Sequence, residues 1–162
     1  MTPQQRAGHF ALPSEPDRNS PPRAEEPRRM EMEGKQGPLR VLVVEDDFLI
    51  AMQTEVALTA AGYQVVGPAM TAEEAVALAG EAQPTLAVMD IRLASTRDGI
   101  DAARQLYQDF AIRCIFATAH DDAHTRGRAE PYAPLGWLPK PYTMASLVAG
   151  VVKSPQFQMR AR

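Results

Sequence analysis

The sequence predicts an α/β domain in which a doubly wound parallel sheet of five strands carries helices on both faces. Short runs rich in Val, Leu, Ile and Ala recur along the chain and alternate with segments of helix length. The strand runs are nearly continuous in apolar character, as expected for strands covered on both faces rather than one. Gly and Pro stand at many of the junctions, where a chain of alternating elements needs to turn.

Leu39–Val44 is a β-branched run and reads as a central strand. From Phe48 to Ala61 apolar residues fall at helical spacing (Phe48, Ile50, Ala51, Val56, Leu58), and Gly62 is a natural stop. Gln64–Gly67 reads as a second, short strand. Thr71-Ala-Glu-Glu74 is a capping box: a hydroxyl that accepts a backbone N–H, with an acid three residues on that reaches back. Its helix runs through Val76 and Leu78 to about Ala82, before Pro84. Leu86–Met89 makes a third strand, Gly99–Phe110 a third helix and Ile112–Ala117 a fourth strand. Asp122–Glu130 is a poor helix bounded by Pro131 and Pro134, so the fourth helix is expected to be short or distorted. Leu135–Leu138 is the last strand, and Thr143 caps a last helix carrying Leu147, Val148, Val151 and Val152. No internal repeat is present.

The 162 residues suit one well-buried domain, expected over 39–153. Residues 1–38 are crowded with proline and balanced charge and have few aliphatic side chains to bury, which predicts a disordered extension. Residues 154–162 are expected to be a flexible tail. Translation is expected to start at Met30 or Met32, since Met-Glu-Gly-Lys-Gln-Gly-Pro is an ordinary short lead-in to the first strand. Neither a long apolar run nor a signal-peptide pattern opens the chain, which predicts a cytoplasmic protein without a membrane span. A net charge of −3, with basic residues gathered at the end, does not suggest a nucleic-acid surface. The single cysteine, Cys114, lies in an apolar run and reads as a small buried hydrophobe.

In a parallel sheet the residues that follow the strands converge at one edge, however distant in sequence. Here they are Glu45-Asp46-Asp47 after the first strand, Asp90 after the third, Thr118 after the fourth and Lys140-Pro141 after the fifth. Several carboxylates at one point repel one another and call for a cation, and an all-oxygen set favours Mg²⁺. A lysine and a hydroxyl beside them would orient a phosphoryl group while a carboxylate oxygen attacks phosphorus in line. Each residue alone is ordinary: acids after strands are usually solvated turn residues, and Lys140, Thr118 and Trp137 taken singly need no function. Their coincidence at successive strand ends is what carries the reading.

The segments Val-Val-Glu-Asp at 43–46, Met-Asp-Ile-Arg-Leu at 89–93 with Asp98-Gly99-Ile100, Ala-Thr-Ala at 117–119 and Leu-Pro-Lys-Pro at 138–141 resemble the receiver domain of bacterial two-component response regulators. The resemblance implies a flavodoxin-like strand order 2-1-3-4-5, with Asp90 as phospho-acceptor. It implies Mg²⁺ held by Glu45, Asp46, Asp90 and the backbone carbonyl of Arg92. Lys140 would pair with the phosphoryl group, Thr118 would be the switch hydroxyl and Trp137 the aromatic switch position. Lys140-Pro141 would be cis. Trp137 stands where Tyr or Phe is usual, the loop from Asp90 to Asp98 is slightly long, and Arg92 puts a cation within reach of the phosphoryl group, where it is expected to alter phospho-aspartate lifetime.

By the same resemblance the protein is a stand-alone switch rather than an enzyme: a sensor histidine kinase or phosphotransfer protein donates the phosphate, and an unknown protein partner reads the result. A homodimer through the last helices is compatible with it. Alternatives are a phosphate sink or shuttle in a phosphorelay, a metal-independent pseudo-receiver, and a phosphohydrolase of the haloacid dehalogenase type. The last needs a second Asp two residues after the nucleophile, and Arg92 occupies that place. Asp47 is assigned to the first turn of the helix, although a shift of one residue would make Asp46-Asp47 the metal pair. His120 and His124 lack a third ligand and are read as surface histidines.

Overall fold

A computed structural model of the chain describes residues 37–119 and 121–155. The extension expected over 1–38 and the tail over 154–162 fall almost wholly outside these residues, as does His120. The elements are β1 (Arg40–Val44), α1 (Phe48–Ala60), β2 (Gln64–Ala69), α2 (Ala72–Ala82), β3 (Leu86–Asp90), α3 (Gly99–Phe110), β4 (Arg113–Thr118), α4 (Ala123–Ala129), a 3-10 turn (Glu130–Tyr132), β5 (Gly136–Pro139) and α5 (Met144–Val152). All five strands pair in parallel in the order β2-β1-β3-β4-β5. The fold is therefore the flavodoxin-like doubly wound sheet, with its change of winding direction between β1 and β3.

Side chains alternate across the sheet with the period of two that a strand imposes. Val41, Val43, Leu86, Val88 and Ile115 pack with Leu58, Leu147 and Val151 on one face. Leu42, Val44, Ala87, Met89 and Phe116 pack with Ala75, Ala79 and Leu106 on the other. Central β3 is buried at every position, which accounts for its unbroken apolar run.

Three expectations need correction. The second strand does not stop at Gly67 but continues to Ala69 through a cis Gly67-Pro68 peptide. Gly67 has φ +102°, and a Cβ there would lie 2.9 Å from the Val43 carbonyl oxygen, so only glycine fits. In α1 the core-facing residues are Ala51, Thr54 and Leu58, whereas Phe48 and Val56 are each 63% exposed. Apolar residues on both sides of that helix blur its periodicity, and the buried hydroxyl of Thr54 marks a face that a hydrophobicity count passes over. Ser154, placed in the tail, is buried and donates its hydroxyl to the Val151 carbonyl, so packing extends one residue further. Among the described residues no helix is long and apolar enough to cross a membrane.

Candidate functional site

Strands β1 and β3 are neighbours, and their register pairs Val44 with Met89, so Glu45 and Asp90 leave the sheet side by side. Glu45, Asp46 and Asp90 each bring one carboxylate oxygen within 4.8 Å of the others. Glu45 and Asp90 are buried, and Asp46 is half-buried. Strand β5 ends at the same edge: Lys140 donates its backbone N–H to the Thr118 carbonyl at 2.8 Å and precedes Pro141 through a cis peptide. Its ammonium lies 3.0 Å from Asp90 Oδ2 and 3.3 Å from Glu45 Oε2. The sequence expectation that these four side chains meet agrees with their positions.

Backbone donors fix the carboxylates. The N–H of Asp47 donates to Glu45 Oε1, and that of Arg92 donates to Asp90 Oδ1, both at 3.2 Å. Asp47 is not one of the clustered acids: its side chain accepts the N–H groups of Leu49 and Ile50 and caps α1. Burial, reinforced by the charge of Asp90, pushes Glu45 up to about 7 against the opposing pull of the Asp47 N–H and Lys140. Burial disfavours the Lys140 ammonium, yet its hydrogen bond to Asp90 and the charges of Asp90 and Glu45 hold it above the usual lysine range. One ammonium thus leaves a residual excess of negative charge. Oxygen donors, close spacing and that excess fit a hard divalent cation such as Mg²⁺.

Asp90 itself is seated by glycine packing. Gly99, the first residue of α3, donates its N–H to the Ile91 carbonyl, and a Cβ built on it would lie 2.0 Å from the Asp90 carbonyl oxygen. Asp98 caps the same helix reciprocally with Asp101, and accepts Arg128 Nη1 at 2.7 Å. Burial works against the Asp98 charge, but the Arg128 hydrogen bond and the backbone donors hold its carboxyl below the usual range.

Thr118 ends β4 and is buried. It lines, with Arg92, Ser95, Asp98, Asp122 and Thr125, a polar cavity of about 510 Å³. Arg92 is exposed at its rim. Trp137 is stacked on Phe116 with ring centroids 5.0 Å apart and an interplanar angle of 27°. The Arg126 guanidinium lies over the Trp137 ring at 4.9 Å. His124 is exposed, and Cys114 is buried with its thiol pushed up to about 12 by burial. Arg126 and Arg128 carry no sequence signal, and Gly99 appears in the sequence only as part of the Asp98-Gly99-Ile100 motif, with no role assigned to it. Gly99 alone left a signal, since it follows the cap residue Asp98 at the loop after Asp90.

Residues 41–152 match the family model for the response regulator receiver domain. Relatives include the phyllosphere-induced regulator PhyR of Methylorubrum extorquens, 36% identical over 123 residues, covering 75% of this chain and 45% of that protein. The transcriptional regulatory protein PdtaR of Mycobacterium tuberculosis is 34% identical over 114 residues, covering 70% of this chain and 55% of that protein. The chain thus spans about half the length of these curated relatives. The signal receiver domain of a modulated diguanylate cyclase from Desulfovibrio desulfuricans superposes with a TM-score of 0.68 at 31% identity, covering 77% of this chain and 99% of that one. With the sheet order, the strand-end residues and the family match in agreement, this chain belongs to the response regulator receiver domain family, whose members act in two-component signalling.

Proposed function

We propose that the chain is a phosphorylation-controlled switch in which Asp90 accepts a phosphoryl group from a sensor histidine kinase or phosphotransfer protein. The observation that carries this reading is the Lys140 ammonium bridging Asp90 and Glu45 above the three-carboxylate cluster. An Asp90 carboxylate oxygen attacks phosphorus; the bond from phosphorus to the donor's leaving group breaks, and its electron pair departs with that group. Lys140 stays protonated and follows the charge from the Asp90 carboxylate to the phosphoryl oxygens. Glu45, Asp46, Asp90 and the Arg92 carbonyl would hold Mg²⁺, which supplies charge neutralisation for the transferring group. Thr118, at the adjacent strand end, offers its hydroxyl to a phosphoryl oxygen. The α4-β5-α5 face then presents the change to a protein partner.

Intact-protein mass spectrometry after incubation with acetyl phosphate tests the reading. The expected result is a Mg²⁺-dependent gain of one phosphoryl group that Asp90→Ala abolishes. A folded wild-type protein that gains nothing, or a gain that survives in Asp90→Ala, would overturn it.

A further inference from the structure

The ring of Trp137 is held on both faces. Phe116, its register partner on the adjacent strand, stacks on one face at 5.0 Å, which leaves the other to the Arg126 guanidinium at 4.9 Å. That guanidinium is in turn oriented by Asp121, which takes both Arg126 Nε and Arg126 Nη2, the latter at 2.6 Å. A planar fork fixed by a carboxylate and laid on an indole is a geometry that lysine cannot reproduce.

The two ends of this chain of contacts lie close in sequence to residues of the site. Asp121 lies three residues beyond Thr118, and Trp137 three residues before Lys140. Between them sits α4, which has seven residues, one of them buried, and carries Gly127 in its interior. A helix so short and so little buried has scant packing of its own to set its position. Arg126 ties this helix to the ring, as Arg128 ties it to Asp98.

We propose that Arg126 is a positioning residue: it latches Trp137 against Phe116 and couples α4 to the ring, so that the latched arrangement opposes occupation of Asp90. This rests on the reading of Asp90 as acceptor and Thr118 as the hydroxyl that follows the phosphoryl group. Drawing Thr118 toward Asp90 moves the end of β4, three residues in sequence before the Asp121 carboxylate that orients Arg126. By reciprocity, whatever the phosphoryl group does to the latch, the latch does to phosphoryl affinity.

Trp137 is the chain's one tryptophan, so intrinsic fluorescence reads this ring directly. The experiment uses the full chain, its Arg126→Ala and Arg126→Lys variants, and Asp121→Asn, which frees the guanidinium without touching the indole. Calorimetry with beryllofluoride and Mg²⁺ reads occupation of Asp90, and acrylamide quenching reads Trp137. We expect Arg126→Ala to raise quenching in the unliganded protein and to tighten beryllofluoride binding about two- to fivefold, the range that one exposed cation–π contact supports. Asp121→Asn and Arg126→Lys should fall between wild type and Arg126→Ala. Raised quenching with unchanged or weaker binding would show a ring contact uncoupled from Asp90 and would overturn the proposal. Unchanged quenching in Arg126→Ala would overturn the latch itself. A folded wild type that binds no beryllofluoride would instead sink the acceptor reading and take the coupling with it.

Discussion

Helix α3 spans 12 residues and buries Gly99, Ile100, Ala102, Ala103 and Leu106, whereas α4 spans seven and buries Ala129. The first begins with a reciprocal Asp98/Asp101 capping box and presses its leading glycine onto the Asp90 backbone. The second starts from a single Asp122 cap, and arginines tie it down: Arg126 to Asp121 and Trp137, Arg128 to Asp98 and Asp101. Apolar burial is strong and non-directional, while exposed ion pairs are weak, directional and screened by salt. Asp90 thus rests on the part of the molecule that is hard to move. The surface beside Trp137 rests on contacts that a modest change at Asp90 can outweigh.

Substitutions sharpen this contrast. Leu106→Ala empties a fully buried position beneath the sheet and should cost about 2–5 kcal/mol in a denaturant titration. A loss below about 1 kcal/mol would mean that α3 is not anchored by packing. Gly99→Ala must displace the Asp90–Ile91 peptide, for roughly 1–3 kcal/mol of strain, and should weaken Mg²⁺ binding as well. Unchanged Mg²⁺ affinity in the folded variant would separate the seat of α3 from the site.

Smallest is the effect of Arg128→Ala, expected to cost at most about 1 kcal/mol because both partners are about a third exposed. That loss should shrink in high salt. The same pair has a pH signature. The Asp98 carboxyl is held below its usual range, so its contribution is complete above about pH 4, the unperturbed aspartate value, and disappears as pH falls through the lower folded value. Asp98→Asn should flatten that acid limb of stability; an unaltered limb would show that the Arg128 contact contributes nothing in solution.

How much of this was legible in sequence follows from the range of the forces involved. Burial on both faces writes itself into continuous apolar runs, which is why β1, β3 and β4 stood out, and the capping box at Thr71 is a local pattern. Parallel pairing then brings Glu45, Asp46, Asp90 and Lys140 together without further information, because topology alone fixes which strand ends meet. The expected strand ends at Gly67, just before Pro68, whereas β2 runs through that proline to Ala69. Having no N–H to give to a ladder, Pro68 is tolerated in a strand at the sheet edge, where one side has no partner strand among the described residues. The clamps on α4 could not be read at all. Arg126 and Arg128 sit in a polar stretch, and their partners Trp137 and Asp98 are set by tertiary contact rather than by spacing.

Occupation of Asp90 is expected to be felt at α4 and β5 while α3 stays fixed. Hydrogen exchange read by mass spectrometry, with and without beryllofluoride and Mg²⁺, tests it most directly. Exchange should change across 121–139, with the α3 peptides over 100–110 unchanged. Equal change in both regions, or none in 121–139 when Asp90 is occupied, would contradict it.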